Sequence, residues 1–379
     1  MNTKIYLDHA ATTPIRPEVA NIIHQCGEFY ANPSSIHEAG QQARKAVEAA
    51  RLKVADAIGA RPHEIFFTSG GTEADNWAIR GVSANLQNGG HIITTAIEHP
   101  AVRNVCRAME QLGYDVTYLN VDSDGLINVK DFEAAIRRES FLATIMLANN
   151  EIGTIQPIAE ISEIAKRYGV LLHTDAVQAV GHIPVNVDAL GVDLLSLSGH
   201  KLYAPKGIGV LYVREGTQIS PLFFGGGQEK NKRPGTENVV GIVGLGHAIE
   251  LAVAELETEG ARLTVLRDEI IRGVYNLVPG AKLNGHSVKR LPGNVNFSFS
   301  NINGESVLFM LDMQGLYVSG ASACSAGKGA PSHVLLAIGR TANEAIGSIR
   351  ISLGAQNTKQ DVARILEVLP PVIEKLTSA

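Results

Sequence analysis

The chain has 379 residues, of which 45% are hydrophobic and 19% charged, with a formal net charge of −5. That balance is ordinary for a globular protein and leaves out a basic nucleic-acid-binding surface. The length exceeds one small core, so two domains are expected.

No stretch approaches the length of uninterrupted apolar sequence that a membrane span requires, and none is expected. The N-terminal residues lack the long apolar core of a signal peptide and run straight into a strand. The three cysteines, Cys26, Cys106 and Cys324, are widely spaced. They match neither a disulfide framework nor a zinc pattern, and a reducing cytoplasm is the expected compartment. The 38 glycines gather at strand ends, as in an α/β enzyme with backbone-lined ligand loops.

In chain order, residues 65–68 read as a short apolar strand and 74–84 as a helix. Residues 91–95 read as a strand, and 101–112 as a helix with a 3.6-residue apolar period. Strands are expected at 116–119, 142–147 and 170–173, with a helix over 158–168 between the last two. An apolar run over 192–197 follows. Near-continuous apolar strands separated by helices predict a parallel sheet covered on both faces. Ligands of such sheets bind beyond the carboxyl ends of the strands. A long charged helix from about 255 to 277 leads into a second domain holding 294–300, 306–313, the Cys324 loop and a terminal helix over 360–376. The residues up to about 12 are expected to fold back onto it.

The residues with chemistry fall at the predicted strand ends. Ser69-Gly70-Gly71-Thr72-Glu73 opens a helix after a strand. Free N–H groups and the helix dipole there favour a phosphate, and a plain capped helix start reads equally well. The segment is neither a Walker loop nor GxGxxG. His99 follows the strand 91–95, where an imidazole stacks on a ring and shuttles protons, or simply caps a helix. Asp175 and Gln178 close the strand 170–173. Lys201, in Ser198-Gly199-His200-Lys201, follows the run 192–197. An aspartate for a pyridinium nitrogen and a Schiff-base lysine are the two protein groups that pyridoxal phosphate needs. The competing readings are a helix-capping aspartate and a solvated lysine. Ser198 and His200 are candidate phosphate donors and Gln178 a donor to the ring hydroxyl. Lys206 competes on residue type alone but stands inside a Pro-Lys-Gly turn. Arg350 offers a fork for a carboxylate, or a surface salt bridge. Cys324 lies among small polar residues, which suggests an exposed loop; an unperturbed thiol ionises near pH ~8.5. Cys26 and Cys106 occupy helix-like stretches and read as packing residues.

Taken in order, these motifs resemble cysteine desulfurases of the NifS/IscS type, pyridoxal-phosphate enzymes of the class V aminotransferase family. The likeness also runs through Tyr6-Leu7-Asp8-His9-Ala10-Ala11-Thr12-Thr13, Asn32-Pro33-Ser34-Ser35, Asn149-Asn150-Glu151-Ile152-Gly153 and Arg233-Pro234-Gly235-Thr236-Glu237-Asn238, and so covers essentially the whole chain. It implies an α/β protein of fold type I. A large domain (13–257) would carry a mostly parallel seven-stranded sheet. A smaller α+β domain (1–12 and 258–379) would carry the catalytic cysteine loop.

The resemblance also implies roles. Lys201 carries the Schiff base, Asp175 meets the pyridinium, and Gln178 and Asn150 meet the ring edge. Gly71, Thr72, Ser198 and His200 hold the phosphate, joined by Thr236 from a partner subunit, so a homodimer is implied. His99 stacks on the ring. Asn32 and Arg350 take the substrate carboxylate, and Cys324 is the nucleophile. L-cysteine would become L-alanine, with its sulfur held as a persulfide on Cys324. His99 or Lys201 would move the protons. The spacing after the cysteine looks like that of the group whose long loop delivers sulfur to acceptor proteins, such as an iron–sulfur scaffold or a tRNA-thiolation enzyme. A selenocysteine lyase or another class V aminotransferase is the alternative, and Cys324 favours the desulfurase. A non-catalytic scaffold is disfavoured by the intact Lys201, Asp175 and Cys324, and a metal-dependent hydrolase by the absence of HExxH-type spacing. No metal, no direct nucleic acid and no membrane are expected.

Overall fold

The computed structural model describes residues 4–84, 86, 89–320 and 330–377. A short first strand, β1 (Ile5–Tyr6), is followed by seven that make one sheet: β2 (Ile65–Thr68), β3 (His91–Thr95), β4 (Asp115–Leu119), β5 (Ser140–Thr144), β6 (Leu171–Asp175), β7 (Leu194–Ser198) and β8 (Gly209–Val213). Their spatial order is β2-β8-β7-β6-β5-β3-β4. The run from β7 to β4 is parallel, and β8 is antiparallel to both of its neighbours. The reversal has a covalent cause. The connection 199–208 between β7 and β8 is shorter than the dozen or so residues that a parallel crossover needs. It turns back at once, and Lys201 sits in that turn.

Alternation along the strands assigns residues to the two faces. Leu195, Leu197, Val210 and Tyr212 join a core with Val47, Val54, Ile161, Ile242 and Leu245. Leu194, Leu211 and Val213 pack the other way, against Ala74, Trp77 and Phe66. Further along that face, Ile92 and Leu142 meet Ile79, Val102, Cys106 and Met109. Both faces are therefore covered, and β2, β3, β7 and β8 are buried throughout. This is why their sequences read as continuous apolar runs. Cys26 and Cys106 are buried, and burial pushes the Cys106 thiol up to about 12.

Some boundaries differ from the sequence reading. The strand expected over 142–147 is Ser140–Thr144, and the one expected over 170–173 is Leu171–Asp175. The helices Glu38–Ile58 and Val239–Ala254 are additions to it. They press together closely, since a β-carbon on Gly246 would lie 2.7 Å from that of Ala50. The latter helix bends by 70° into Leu256–Leu277. Among the described residues no single helix is long and apolar enough to cross a membrane.

A second hydrophobic core gathers Leu266, Ile270, Phe297, Leu311, Ile349, Ile351 and Leu369, with Ile5 and Leu7 from the N-terminal segment. Its strands are β9 (Lys282–Leu283), β10 (Asn294–Ser298), β11 (Leu316–Tyr317) and β12 (Ser348–Ser352). β10 lies between β12 and β9, and β1 pairs in parallel with β11. That pairing leads the chain from Leu7 onward towards the carboxyl ends of the large sheet.

Candidate active site

A cavity of 430 Å³ opens where the parallel strands end, with residues 10 and 11 and Arg350 closing its far side. Gly71 and Thr72 reach it from the first turn of the helix Gly71–Ser83. Gly70, at φ 153°, makes the entry into that helix, a conformation suited to glycine. A β-carbon on Gly71 would sit 2.7 Å from Val177 Cγ2 and 3.5 Å from Ser198 Cβ. Backbone N–H groups, the helix dipole, Ser198 and His200 therefore face one small volume, a cradle for an anion. The His200 Nδ1 is 3.1 Å from Thr12 Oγ1. Burial, reinforced by Lys201 and Lys206, lowers this imidazole to about 4.

Lys201 ends the short 3-10 turn after β7. Its Nζ donates to the carbonyls of Ala10 at 2.6 Å and Ala11 at 2.7 Å. Gln178 Nε2 also donates to Ala10 at 2.9 Å. Lys206, the competitor on residue type, is exposed.

Asp175 is the last residue of β6. Its Oδ1 accepts from Val177 N at 2.9 Å. Burial raises it to about 6, opposed by that N–H and by the charge of Lys201. Asp75, also lining the cavity, is pushed well above the carboxylate range by burial and then by Asp175. Its Oδ1 has no hydrogen-bond partner and lies 3.7 Å from His173 Nε2. Burial lowers His173 to about 3, so this contact is between neutral groups and is not an ion pair. His173 is held by Thr144 Oγ1 at 2.8 Å and Ser196 Oγ at 3.0 Å. Of the two carboxyls, Asp75 is pushed up further, by burial and by Asp175, while the nearby Lys201 favours the charged form of Asp175.

His99 caps the helix Pro100–Gln111, its Nδ1 accepting from Ala101 N at 3.1 Å. The Nε2 therefore holds the proton of the neutral ring. Burial and then Lys201 lower it to about 4. Beside it, His333 Nε2 is 3.0 Å from the carbonyl of Glu98, the residue before His99. Asn150 and Glu151 follow Asn149, whose Oδ1 accepts from Glu151 N at 2.8 Å and Ile152 N at 3.0 Å. Burial raises Glu151 to about 7, opposed by Ser332 and Arg350.

Arg350 lies in the middle of β12, and its side chain is 2% exposed. Nη2 donates to Asp8 Oδ1 at 2.8 Å and Nη1 to the Asn150 carbonyl at 3.0 Å. Its Nε is buried and unpartnered. A surface salt bridge is thus ruled out: the guanidinium is buried beside a cavity that also presents an amine and a carboxyl group.

The structure brings together Gly71, Thr72, His99, Asn150, Asp175, Gln178, Ser198, His200, Lys201 and Arg350. Asn32 lies elsewhere; it is exposed and its Oδ1 accepts from Ser34 N at 2.9 Å. Thr236 borders a separate hollow of 170 Å³ with Ser69, Glu229 and Arg233. Cys324 lies outside the described residues, but both flanks of its segment reach the cavity wall. Ser319 and Arg350 exchange backbone hydrogen bonds at 3.1 and 2.7 Å, and Ser332 Oγ donates to Glu151 Oε2 at 2.5 Å. Asp75, Glu151 and His333 are lining residues that the sequence reading passed over. Helical phase could have found Asp75, one turn beyond Thr72 on the same face.

The donor set fits pyridoxal phosphate: an anion cradle, the Asp175 carboxyl, the Lys201 amine and the His99 imidazole all line one cavity. Arg350 adds a cation to the same wall.

A family model described as aminotransferase class-V matches residues 5–365. The cysteine desulfurase IscS of Dictyoglomus turgidum is 54% identical over 378 residues, 99% of this chain and 96% of that protein. The IscS of Methanosarcina thermophila is 52% identical over 377 residues, 99% and 93% of the two chains. A solved NifS-like protein superposes with a TM-score of 0.93 at 39% identity, covering 99% of this chain and 100% of its own. SspA, solved in complex with cysteine, superposes at 0.82 with 39% identity, covering 93% and 99%.

Proposed function

The chain belongs to the class-V aminotransferase family, and from that membership we propose that it is a cysteine desulfurase, releasing the sulfur of L-cysteine and leaving L-alanine. The observation that carries this reading is the convergence of Lys201, Asp175 and Arg350 on one cavity whose wall also anchors both flanks of the Cys324 segment.

Pyridoxal 5′-phosphate, the cofactor that the family implies, supplies an electron sink conjugated to the substrate amine. Gly71, Thr72, Ser198 and His200 hold its phosphate. Asp175 would pair with its ring nitrogen, and His99, Gln178 and Asn150, which line the same cavity, would hold the ring. Lys201 would be the residue that holds the cofactor covalently through its amine. Arg350 would orient the substrate carboxylate, whereas Asn32 lies outside this chain's cavity. His99 Nε2 already carries a proton and so acts as a donor. Lys201 Nζ, with a lone pair once released as a neutral amine, takes the proton from the substrate Cα. The Cys324 thiolate attacks the substrate sulfur and keeps it as a persulfide, and the three-carbon remainder takes up protons and leaves as L-alanine. A reducing cytoplasm keeps Cys324 free for this step.

The position of Thr236 outside its own chain's cavity supports a homodimer in which a second copy's Thr236 completes the phosphate site. The persulfide sulfur then passes to acceptor proteins, such as an iron–sulfur scaffold or a tRNA-thiolation enzyme.

The test is L-alanine production from L-cysteine, with reductant, by the native protein and by Cys324→Ala. Alanine from the native protein alone supports the reading. Alanine from neither, in protein that still absorbs as the loaded cofactor, removes the desulfurase assignment and turns attention to transamination. Comparing rates on L-cysteine and L-selenocysteine separates a selenocysteine lyase.

A further inference from the structure

Asp8, on the N-terminal segment, meets Nη2 of the cavity-lining Arg350 at 2.8 Å. Its side chain is 22% exposed, against 2% for Arg350. Its backbone is tied on both sides: it bridges Ser352 in parallel, and its carbonyl accepts from Tyr6 Oη at 3.1 Å. The backbone that carries the carboxylate is therefore fixed beside Arg350. The guanidinium is fixed in plane by Asp8 on Nη2 and the Asn150 carbonyl on Nη1. Nε alone remains buried without a partner. An uncompensated buried cation is strongly unfavourable, so the empty protein needs a counter-charge at this point.

We propose that Asp8 is a built-in counter-ion that sets how tightly the cavity holds a substrate carboxylate. This rests on the reading of Arg350 as the carboxylate partner. With Asp8 charged, the Arg350–Asp8 pair is neutral, and an incoming carboxylate shares the guanidinium with a negative neighbour. Without that charge, the same carboxylate meets an unshared cation. L-cysteine and L-alanine carry the same α-carboxylate, so a site that gripped it fully would also retain the product. Asp8 holds the guanidinium of this cavity-lining arginine in place while weakening its grip, which favours release of L-alanine. Asparagine at this position keeps an oxygen for Nη2 and removes only the charge, so it separates charge from orientation.

The experiment measures dissociation constants of L-alanine and of ethylamine, which lacks the carboxylate, on pyridoxal-phosphate-loaded protein by the change in cofactor absorbance. Native protein, Asp8→Asn and Arg350→Lys are compared, together with KM and kcat for L-cysteine. A neighbouring charge shifts such an ionic equilibrium by about one logarithmic unit or more, so Asp8→Asn should bind L-alanine roughly tenfold tighter with ethylamine unchanged. KM should fall and kcat should not rise. Unchanged or weaker L-alanine binding, or an equal change for ethylamine, overturns the proposal. L-alanine affinity that survives Arg350→Lys removes the underlying reading of Arg350 instead. If Asp8→Asn does not yield folded, cofactor-loaded protein, Asp8→Ser makes the same test of the charge.

Discussion

The hydroxyl of Ser332 donates to Glu151 Oε2 at 2.5 Å, tying the chain just beyond the Cys324 segment to a carboxyl in the cavity wall. The same hydroxyl caps the helix His333–Ala337 by accepting from Val334 N and Leu335 N. One side chain thus fixes both the segment's exit and the placement of His333.

Ser332→Ala removes the cap and leaves the Glu151 carboxyl short of a donor. Losing a cap costs about 1 kcal/mol, and stranding a buried acceptor adds about 1–3 kcal/mol. The expected outcome is a lower thermal midpoint together with slower sulfur transfer. kcat for L-alanine formation should drop while KM for L-cysteine stays within about twofold, because Arg350 and Lys201 are untouched. Glu151→Gln keeps an acceptor for Ser332 and should be the milder variant. A Ser332→Ala protein with native kcat and stability would remove this role.

Glu98 makes stability fall with rising pH. Burial raises it to about 8, against the hydrogen bonds from Met146 N and Thr95 Oγ1. A carboxyl whose folded value lies above its unfolded one binds more protons when folded. Its contribution is complete below about pH 4.3 and is lost as pH rises through the folded value. Glu98→Gln removes that slope. Relative to native protein the variant should gain stability between pH 5 and pH 9, on the order of 4 kcal/mol. Thermal midpoints of both proteins across that range check it; parallel curves would place Glu98 at its ordinary value.

Asp175→Asn keeps the shape of the strand end and removes the charge that pairs with the cofactor nitrogen. The ring would then be a weaker electron sink, and kcat should fall by roughly a hundredfold or more. Cofactor binding should weaken less, because the phosphate cradle of Gly71, Thr72, Ser198 and His200 remains. Absorbance titration with pyridoxal phosphate, run beside the rate assay, separates the two effects. Native kcat in this variant would contradict the role of Asp175.

Arg51 and Glu229 form a doubly bonded buried ion pair, with Nη2–Oε1 at 2.7 Å and Nη1–Oε2 at 2.9 Å. Glu229 Oε2 also accepts from Phe67 N at 3.0 Å, and Arg51 Nη1 donates to the Ile65 carbonyl at 2.8 Å. The pair thus attaches the loop before Thr236 to edge strand β2. Arg51→Ala leaves an unpaired buried carboxylate and should destabilise by about 3–5 kcal/mol. Urea unfolding measures it; a loss under about 1 kcal/mol would mean that solvent reaches Glu229.

Much of the large sheet was legible because its strands are buried on both faces and separated by amphipathic helices such as Pro100–Gln111. The helix Glu38–Ile58 escaped because its buried positions are largely Gly40, Ala43, Ala50 and Ala55, which leave a weak apolar period. Val239–Ala254 escaped because it is apolar on most sides and shows no stripe. The reversal at β8 follows from a connection length, yet no strand pattern announces direction.

The sequence by itself determined the strand-end chemistry. Gly70-Gly71-Thr72, His99, Asp175 and Ser198–Lys201 are short-range signals, since each lies within a few residues of the turn or cap that positions it. Only the tertiary structure decided that Arg350 is buried against Asp8, 342 positions away, that Asp75 stands beside Asp175, and that Asn32 and Thr236 sit outside their own chain's cavity. Those outcomes depend on how the second core closes over the sheet. Such contacts are long-range, so burial and pairing there leave no period or spacing in the local sequence.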